Sequence, residues 1–478
     1  MNITRPGIIK KLPISFLILS LLGGASILLY SFAFLLKDLR VETVAFEWVF
    51  FSLFGLYLLA GWYVLQEKVT TDRRPSGLVL IFGFAILFRA ILVFTQPTLT
   101  DDMYRYIWDG RVQAHQISPY LYPPSAPEVA ALRDSEIWPW INRKGVVTVY
   151  PAGAQLAFAA AWRIWPDNVH WFQAVMTFGD LIAAVILCYL LRAVGRSPQL
   201  VLIYLWNPLL TFEIAHAAHV DGLVLPFLVA AWLARQKGRD TLTGLLLGLA
   251  ASLKLYPVLL LPALWRLRDE RGRFRPAWRM PLAFMAGFLT PYLPYLSTGK
   301  AVLGFLPQYF HEQFNFLLTG PLYYWVNQAG GQPDLVINLL IVAVLLTIYL
   351  FFFFRPAANA ETALRRCIWP IGAYTLLTQN LYPWYLLWLV PLLPLFLPAR
   401  RLEERLADLA MRLLRTSWTG WWLFTGLIAL AYTFYIHWWP DFVAIVAQFI
   451  LLYEFLLIDL GRWLKQKISL RGEVRSEG

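Results

Sequence analysis

Apolar runs of about 20 residues or more recur along this chain, separated mostly by short basic stretches. That alternation constrains the fold more than any other feature. A helix of this length pairs all its backbone polar groups internally and crosses the hydrocarbon core of a bilayer. Runs begin near Leu12, Phe46, Gly77, Trp171, Gln199, Gly222, Met280, Pro333, Ile368, Tyr382, Trp418 and Asp441. The expected fold is therefore an all-α polytopic membrane protein with about 12 spanning helices. Composition agrees: 59% of the 478 residues are hydrophobic and 16% aromatic, more than soluble domains carry. The net charge of +12 does not imply nucleic acid, because the basic residues sit in tracts between apolar runs. Cys188 and Cys367 lie far apart, in or beside apolar runs, which predicts neither a disulfide nor a metal cluster. The run from Leu12 to Leu36 follows Lys10 and Lys11 and is too long for a signal-peptide core, so it reads as a retained first span.

Lysine and arginine assign the sides. Arg5/Lys10/Lys11, Lys68/Arg73/Arg74, Arg192/Arg196, Arg235/Lys237/Arg239, "RLRDERGRFRPAWR", Arg365/Arg366, "ARRLEERLADLAMRLLR" and "GRWLKQKISLRGEVR" all belong in the cytoplasm, with both termini. Two segments do not fit as simple spans. "YPAGAQLAFAAAWRIW" would reverse every later basic tract, so it reads as a short amphipathic helix on the outer leaflet. "TLTGLLLGLAASLKLYPVLLLPALW" has basic tracts on both sides and is interrupted by Lys254 and Pro257. It reads as a half-length hairpin buried among neighbours; one full span, with the following arginine-rich tract outside, fits the basic residues less well. The organisation is then an N-terminal hairpin (1–75), a catalytic core (76–398) with outer loops at 97–170 and 298–332, and a C-terminal region (399–478). That last region holds an amphipathic cytoplasmic helix, a second hairpin and a basic tail.

The stretch "TLTDDMYRYIWDGR" begins at the outer edge of a span. Thr100 is the expected N-cap, with Asp101 and Asp102 in the first turn. Asp102, Arg105, Tyr106 and Asp109 share one helical face, and Asp101 and Arg105 are spaced for an ion pair. A capped surface helix and a catalytic face both fit this stretch taken alone. Other polar groups at the same edge favour the second. Arg89 lies inside an apolar run, where a cation seeks a partner or a polar cavity, although snorkelling to the interface would also serve. "NPLLTFEIAHAAHVDGL" puts Glu213, His216, His219 and Asp221 at an outer turn. His216 and His219 do not make a closed zinc set, so hydrogen bonding to sugar or phosphate is preferred over a metal, with a structural loop as the alternative. Lys254 at the hairpin tip calls for an anion, either a phosphate or a carboxylate such as Asp180. Tyr150, Gln155, Gln379, Asn380, Tyr382, Trp384 and Tyr385 are placed to stack on or bond a sugar ring, while an interfacial aromatic belt is the better explanation of any one ring taken singly.

These pieces, in this order, resemble the GT-C superfamily of integral-membrane glycosyltransferases, in particular its bacterial mannosyltransferase-like branch. The matching pieces run from Arg89 through "DDMYRYIWDGR", "SPYLYPP", "VYPAGAQ", "NPLLTFEIAHAAHVDGL" and "GLAASLKLYPVLLLP" to "YPWYLLWLVPLL". The resemblance implies a GT-C-like bundle whose first large outer loop bears a catalytic aspartate. It also implies a sugar, mannose by default, carried on polyprenyl phosphate and transferred with inversion. The setting it implies is the outer face of a bacterial inner membrane, and the acceptor an extracytoplasmic glycan or glycolipid. Two features depart from the pattern. Three spans precede the catalytic loop where one is usual, so the first two read as an added hairpin, and Tyr382 stands where histidine often precedes "PWY".

The residues suit that chemistry on their own. Sugar transfer from a phosphodiester needs a base for the acceptor hydroxyl, cations for the leaving phosphate, and a site that excludes water. Asp102 is the expected base and Asp101 the second choice. The spacing of Asp102 to Arg105-Tyr106 is similar to an acidic-x-x-Arg-Tyr pattern in the superfamily's lipid-A aminoarabinose transferases. Arg105, Lys254 and Arg89 are the expected phosphate ligands. Tyr106, Asp109, Tyr150, Gln155, His219, Asp221, Gln379, Tyr382 and Trp384 are the expected sugar or acceptor contacts. Asp101 and Asp102 could hold Mg²⁺ through waters, but Arg105 alongside favours metal-free phosphate binding and no cofactor. A transporter or lipid flippase would instead place its polar site at the midplane, and an inactive assembly partner would not need these charges together.

Overall fold

The computed structural model describes residues 14–66, 75–269, 271–305, 312–437 and 441–476. The start of the first run at Leu12, the tracts Arg5/Lys10/Lys11 and Lys68/Arg73/Arg74, and the last two residues of the basic tail lie outside the described residues. Among the described residues the chain is helical, apart from one isolated bridge between Arg268 and Phe274. It opens with α1 (Ile14–Leu35), α2 (Thr43–Gln66) and α3 (Pro75–Val93). Two shorter helices follow, α4 (Asp102–Ala114) and α5 (Ala152–Ile164), and then α6 (Val169–Ala193).

Six helices among the described residues, not twelve, are long and apolar enough to cross a membrane. They are α1, α2, α6 and those starting at Pro333, Ser417 and Phe442. The chain is a multi-pass membrane protein, and the count differs from expectation because several apolar runs are broken. The run from Gln199 is interrupted at Asn207-Pro208, where the Asn207 side chain caps a new turn by accepting from Leu209 N. It then widens into a π-turn over Phe212–His216. The run from Tyr382 becomes 3₁₀ turns at Pro383–Trp388 and Val390–Leu392, because Pro383, Pro391 and Pro394 each remove a backbone donor. Irregular backbone at membrane depth must be sheltered by protein. Both broken segments are indeed buried along nearly their whole length, whereas the unbroken Pro333–Phe354 helix is mostly exposed. These two broken segments thus lie in the centre of the bundle, while the Pro333–Phe354 helix lies at its edge.

The segment around Lys254 returns to the side it came from. A helix over Asp240–Leu253 ends at Lys254, whose backbone is extended (φ −154°, ψ 138°). A 3₁₀ turn at Tyr256–Leu260 and one helical turn at Leu261–Leu264 lead back, and Arg266 pairs with Asp240 at 2.5 Å. The next helix, Arg279–Leu289, runs parallel to Asp240–Leu253: a Cβ on Gly244 would lie 2.0 Å from Met280 O, and one on Gly248 2.2 Å from Phe284 O. α5 has 13 residues, about 20 Å of helix, too short to span. It packs on α4, with Tyr106 and Phe158 stacked at 4.4 Å.

Candidate active site

The turn before α4 is held by groups from several distant segments. Thr98 N–H donates to His216 Nε2 at 3.2 Å, and Thr95 Oγ1 meets His216 Nδ1 at 2.7 Å. Leu39 N–H, in the α1–α2 loop, donates to Thr98 Oγ1 at 2.9 Å, and the Tyr435 hydroxyl donates to Leu99 O at 2.7 Å. The cap itself differs from expectation. Thr100 Oγ1 does accept from Asp102 N at 3.3 Å, but Asp101 occupies the N-cap position, and its carboxylate makes no capping bond. Instead Asn142 Nδ2 donates to both acids, to Asp102 Oδ1 at 2.7 Å and to Asp101 Oδ1 at 3.1 Å. Burial, then the charge of Asp102, raise the Asp101 carboxyl above its ordinary 3.8; Asn142 and the guanidinium of Arg40 oppose the shift.

Behind Asp102 stands a line of buried polar groups. His219 Nδ1 lies 3.9 Å from Asp102 Oδ2, and its Nε2 lies 3.1 Å from Glu213 Oε2 without hydrogen-bond geometry. Glu213 in turn accepts a short bond from the Tyr432 hydroxyl. Ala218 takes a left-handed conformation (φ 56°), uncommon for a residue with a Cβ, and this turn brings His219 N to Glu213 O at 3.0 Å. One more ring joins from the far end of the chain: His219 stacks on Trp384 at 4.2 Å, Trp384 on Tyr382 at 4.6 Å, and Tyr382 on Phe314 at 4.7 Å.

Lys254 and Asp221 form a second network, linked to the first by Tyr106, which lies within electrostatic reach of both Asp102 and Asp221. Lys254 Nζ bonds Asp221 Oδ2 at 2.5 Å, and Trp388 Nε1 donates to Asp221 Oδ1 at 3.1 Å. Asp221 is placed by close helix packing: Gly222 sits where a Cβ would fall 2.3 Å from Met176 O of α6. The ammonium also faces the rings of Tyr385 and Trp388 at 5.7 and 6.0 Å.

Exposure separates groups that can meet a substrate from groups that hold them. The Asp102 side chain is 23% exposed and Lys254 19%, while His219, Glu213 and Asp221 are at or near zero. Tyr382 and Trp384 are half-buried, as is Tyr150, whose ring meets Tyr106 edge-on at 4.9 Å. Six of the expected ligands sit elsewhere in the network. Arg105 makes no pair with Asp101; its Nε bonds Asp109 Oδ1 at 2.9 Å and its Nη1 donates to Val146 O at 3.1 Å. Asp109 Oδ2 accepts from Gln155 Nε2 at 2.9 Å, which also reaches Thr148 Oγ1 at 2.8 Å. These three buried residues lock the 146–148 loop between α4 and α5. Arg89 bonds Asp180 Oδ2 at 2.6 Å and the carbonyls of Ala85 and Leu205 at 3.2 and 2.9 Å, inside the helix core. With Arg105 committed to Asp109, the reason for expecting a metal-free site from that residue falls away. Gln379 is buried, and its backbone carbonyl accepts from Phe314 N at 2.9 Å; Asn380 Oδ1 accepts from the Thr378 hydroxyl at 2.6 Å.

Sequence reasoning missed Asn142, Arg143 and Arg40. Arg143 follows Asn142 in a left-handed conformation (φ 45°), pairs with Glu312, and reaches the Tyr382 hydroxyl. Arg40 stands over the Tyr435 ring at 5.9 Å, close enough to act on Asp101. The "NRKG" turn signalled a bend, but nothing local showed that it folds back onto Asp101.

Residues 30–268 match the family model described as alpha-(1→6)-mannopyranosyltransferase, N-terminal domain, which is half of the chain. The chain belongs to this family. It is a glycosyltransferase of the mannosyltransferase kind, and the matched residues include Asp101, Asp102, His219, Asp221 and Lys254. The chain is also similar to GPI mannosyltransferase 1 of Eremothecium gossypii, 23% identical over 296 residues that cover 55% of this chain and 69% of the relative.

Proposed function

We propose that this mannosyltransferase moves a mannosyl group from a polyprenyl-phosphate donor to a lipid or glycan acceptor at the extracytoplasmic edge of the membrane, with inversion. Asp102 is the base. It takes the acceptor hydroxyl proton as the acceptor oxygen bonds the anomeric carbon and the bond to the phosphate oxygen breaks. Lys254, with Arg143 and Arg40 at the rim, meets the charge of the departing polyprenyl phosphate. Asn142 holds the Asp102 carboxylate, His219 and Glu213 line up behind it, and Asp221 aims the ammonium. Tyr382 and Trp384 offer faces for a sugar ring. The observation that carries this reading is the exposure pattern: Asp102 and Lys254 are the partly open ends of two otherwise buried carboxylate networks, and Tyr106 is within electrostatic reach of the carboxylate in each. The three cations supply the positive charge, so the reading needs no divalent metal.

The test uses the purified full chain in lipid nanodiscs with radiolabelled polyprenyl-phosphate mannose and a panel of glycolipid acceptors. Asp102→Asn is expected to cut turnover by about 10²–10⁴-fold with an unchanged melting temperature, and EDTA to leave the wild-type rate alone. Normal turnover by both Asp102→Asn and Asp101→Asn would remove the base. Transfer from a nucleotide-linked mannose with no lipid-linked sugar present would remove the donor.

A further inference from the structure

A second gathering of cations lies at the opposite face of the molecule. α6 begins beside the site, where His170 Nδ1 meets Val93 O and Gln173 Nε2 donates to His216 O, and its 25 residues carry the chain about 37 Å away. α2 measures the same separation: Arg40 lies just before its start, and Leu65 O, near its end, accepts from Arg400 N. At that far face is a hollow of about 460 Å³, walled by the turn after α6, the segment from Phe396 to Leu402, and the start of the Ser417–Leu427 helix. Arg196, Arg365, Arg400, Arg401 and Arg412 line it, with Trp418.

The arginines outnumber the carboxylates that answer them. Arg412 pairs with Glu404 at 2.7 Å and Arg365 with Glu361 at 3.3 Å. Arg400 Nε and the two terminal nitrogens of Arg196 donate instead to backbone carbonyls, of Glu404 at 2.9 Å and of Leu395 and Leu397 at 2.8 and 2.6 Å. The remaining donor nitrogen of Arg196, Nε, is buried and has no partner among the described residues. Burial, and then the neighbouring Arg365, lower the Arg196 pKa to about 10, as expected for a cation short of counter-charge. Phe396 stacks under Arg365 at 4.6 Å and packs on Trp418 with ring centres 4.8 Å apart, giving the hollow an aromatic wall.

Orientation in the membrane requires only that basic residues lie on one face. It does not require them to enclose a hollow built from three distant chain segments, or to bury an unpaired guanidinium donor there. We propose that this hollow is a binding site for a phosphate ester, separate from the transfer site, with the headgroup of an anionic phospholipid as the fitting form. The arginines take the phosphate oxygens in forked hydrogen bonds, and the aromatic wall lies along the start of the acyl chains.

Native mass spectrometry of the full chain in detergent tests this, with phosphatidylglycerol and phosphatidylcholine as the lipid probes. Melting curves with millimolar inorganic phosphate test the free anion. Arg196 braces two carbonyls, so the variant is Arg400→Gln/Arg401→Gln. The wild type should retain phosphatidylglycerol in preference to phosphatidylcholine, and the double variant should bind it about 10–30-fold more weakly. If inorganic phosphate raises the wild-type melting temperature, the variant does not respond, and neither lipid is retained, the site holds but its ligand is a soluble phosphate. Equal behaviour of wild type and variant toward both anions overturns the proposal.

Discussion

Two of the ion pairs in the helix core, Arg89–Asp180 and Lys254–Asp221, differ in one respect. Arg89–Asp180 is buried on both sides: both side chains are within 1% of full burial, the Tyr204 hydroxyl donates to Asp180 at 2.5 Å, and Arg89 also bonds two carbonyls, leaving Nη2 without a partner among the described residues. Lys254–Asp221 is closed only around its carboxylate, and the ammonium keeps 19% of its surface. In the sequence the two cations look alike, each a single charge in an apolar run. A pair buried on both sides is out of reach of a ligand, and this one joins α3, α6 and the broken segment ending at Leu205. An open pair presents a cation that is already oriented, with its own counter-ion too buried to leave. The first is built for stability and the second for an incoming phosphate.

The sharpest way to break this comparison is at Arg89–Asp180. Arg89→Leu strands a buried carboxylate and should cost about 3–5 kcal/mol, read as a fall in melting temperature. Arg89→Leu/Asp180→Leu should recover most of that loss. A single variant that melts normally but no longer transfers sugar would make Arg89 a donor ligand and erase the distinction. The open pair should respond the other way. Lys254→Gln is expected to lower kcat/KM for the lipid-linked donor about 100-fold. It leaves Asp221 a neutral donor, so its stability loss of about 1–3 kcal/mol falls short of that of Arg89→Leu. Lys254→Arg should restore the stability and only part of the rate.

The smallest effect concerns Asp101. Its folded-state pKa lies above 3.8 through burial and the charge of Asp102, so the native state holds this proton more tightly than the unfolded chain does. The carboxylate therefore weakens the fold once ionised. The penalty is absent below about pH 3.8 and grows as pH rises through the folded value. Asp101→Asn should match or exceed wild-type stability at pH 7, by about 0.5 kcal/mol or less, and lose that margin below pH 4. Greater loss of stability at pH 7 than at pH 4 would mean that the Asn142 bond outweighs the repulsion.

Several elements could be read from the residues because their causes are local. Lys254 and Pro257 interrupt an apolar run between two basic tracts, and the chain does turn back there, with Arg266 on Asp240. The acidic start of α4 and the short length of α5 were equally legible. The number of unbroken spans was not: Asn207-Pro208 and Pro383, Pro391 and Pro394 sit in runs apolar enough to pass for helices, and only burial makes their irregular backbone tolerable. The partners were legible only in part. Arg105 had two acids within one turn or so, Asp101 before it and Asp109 after it, and spacing alone does not choose between them.

By itself, then, the sequence determined a helical membrane protein and the side chains able to carry a transfer reaction, since hydropathy and helical period act over tens of residues. The tertiary structure decided which charge meets which. Asn142 reaches the two aspartates from 40 residues away, Trp384 reaches His219 from across the chain, and the α1–α2 loop delivers Arg40. Such pairings depend on how helices pack and on which face each buries, and nothing in the local sequence encodes that.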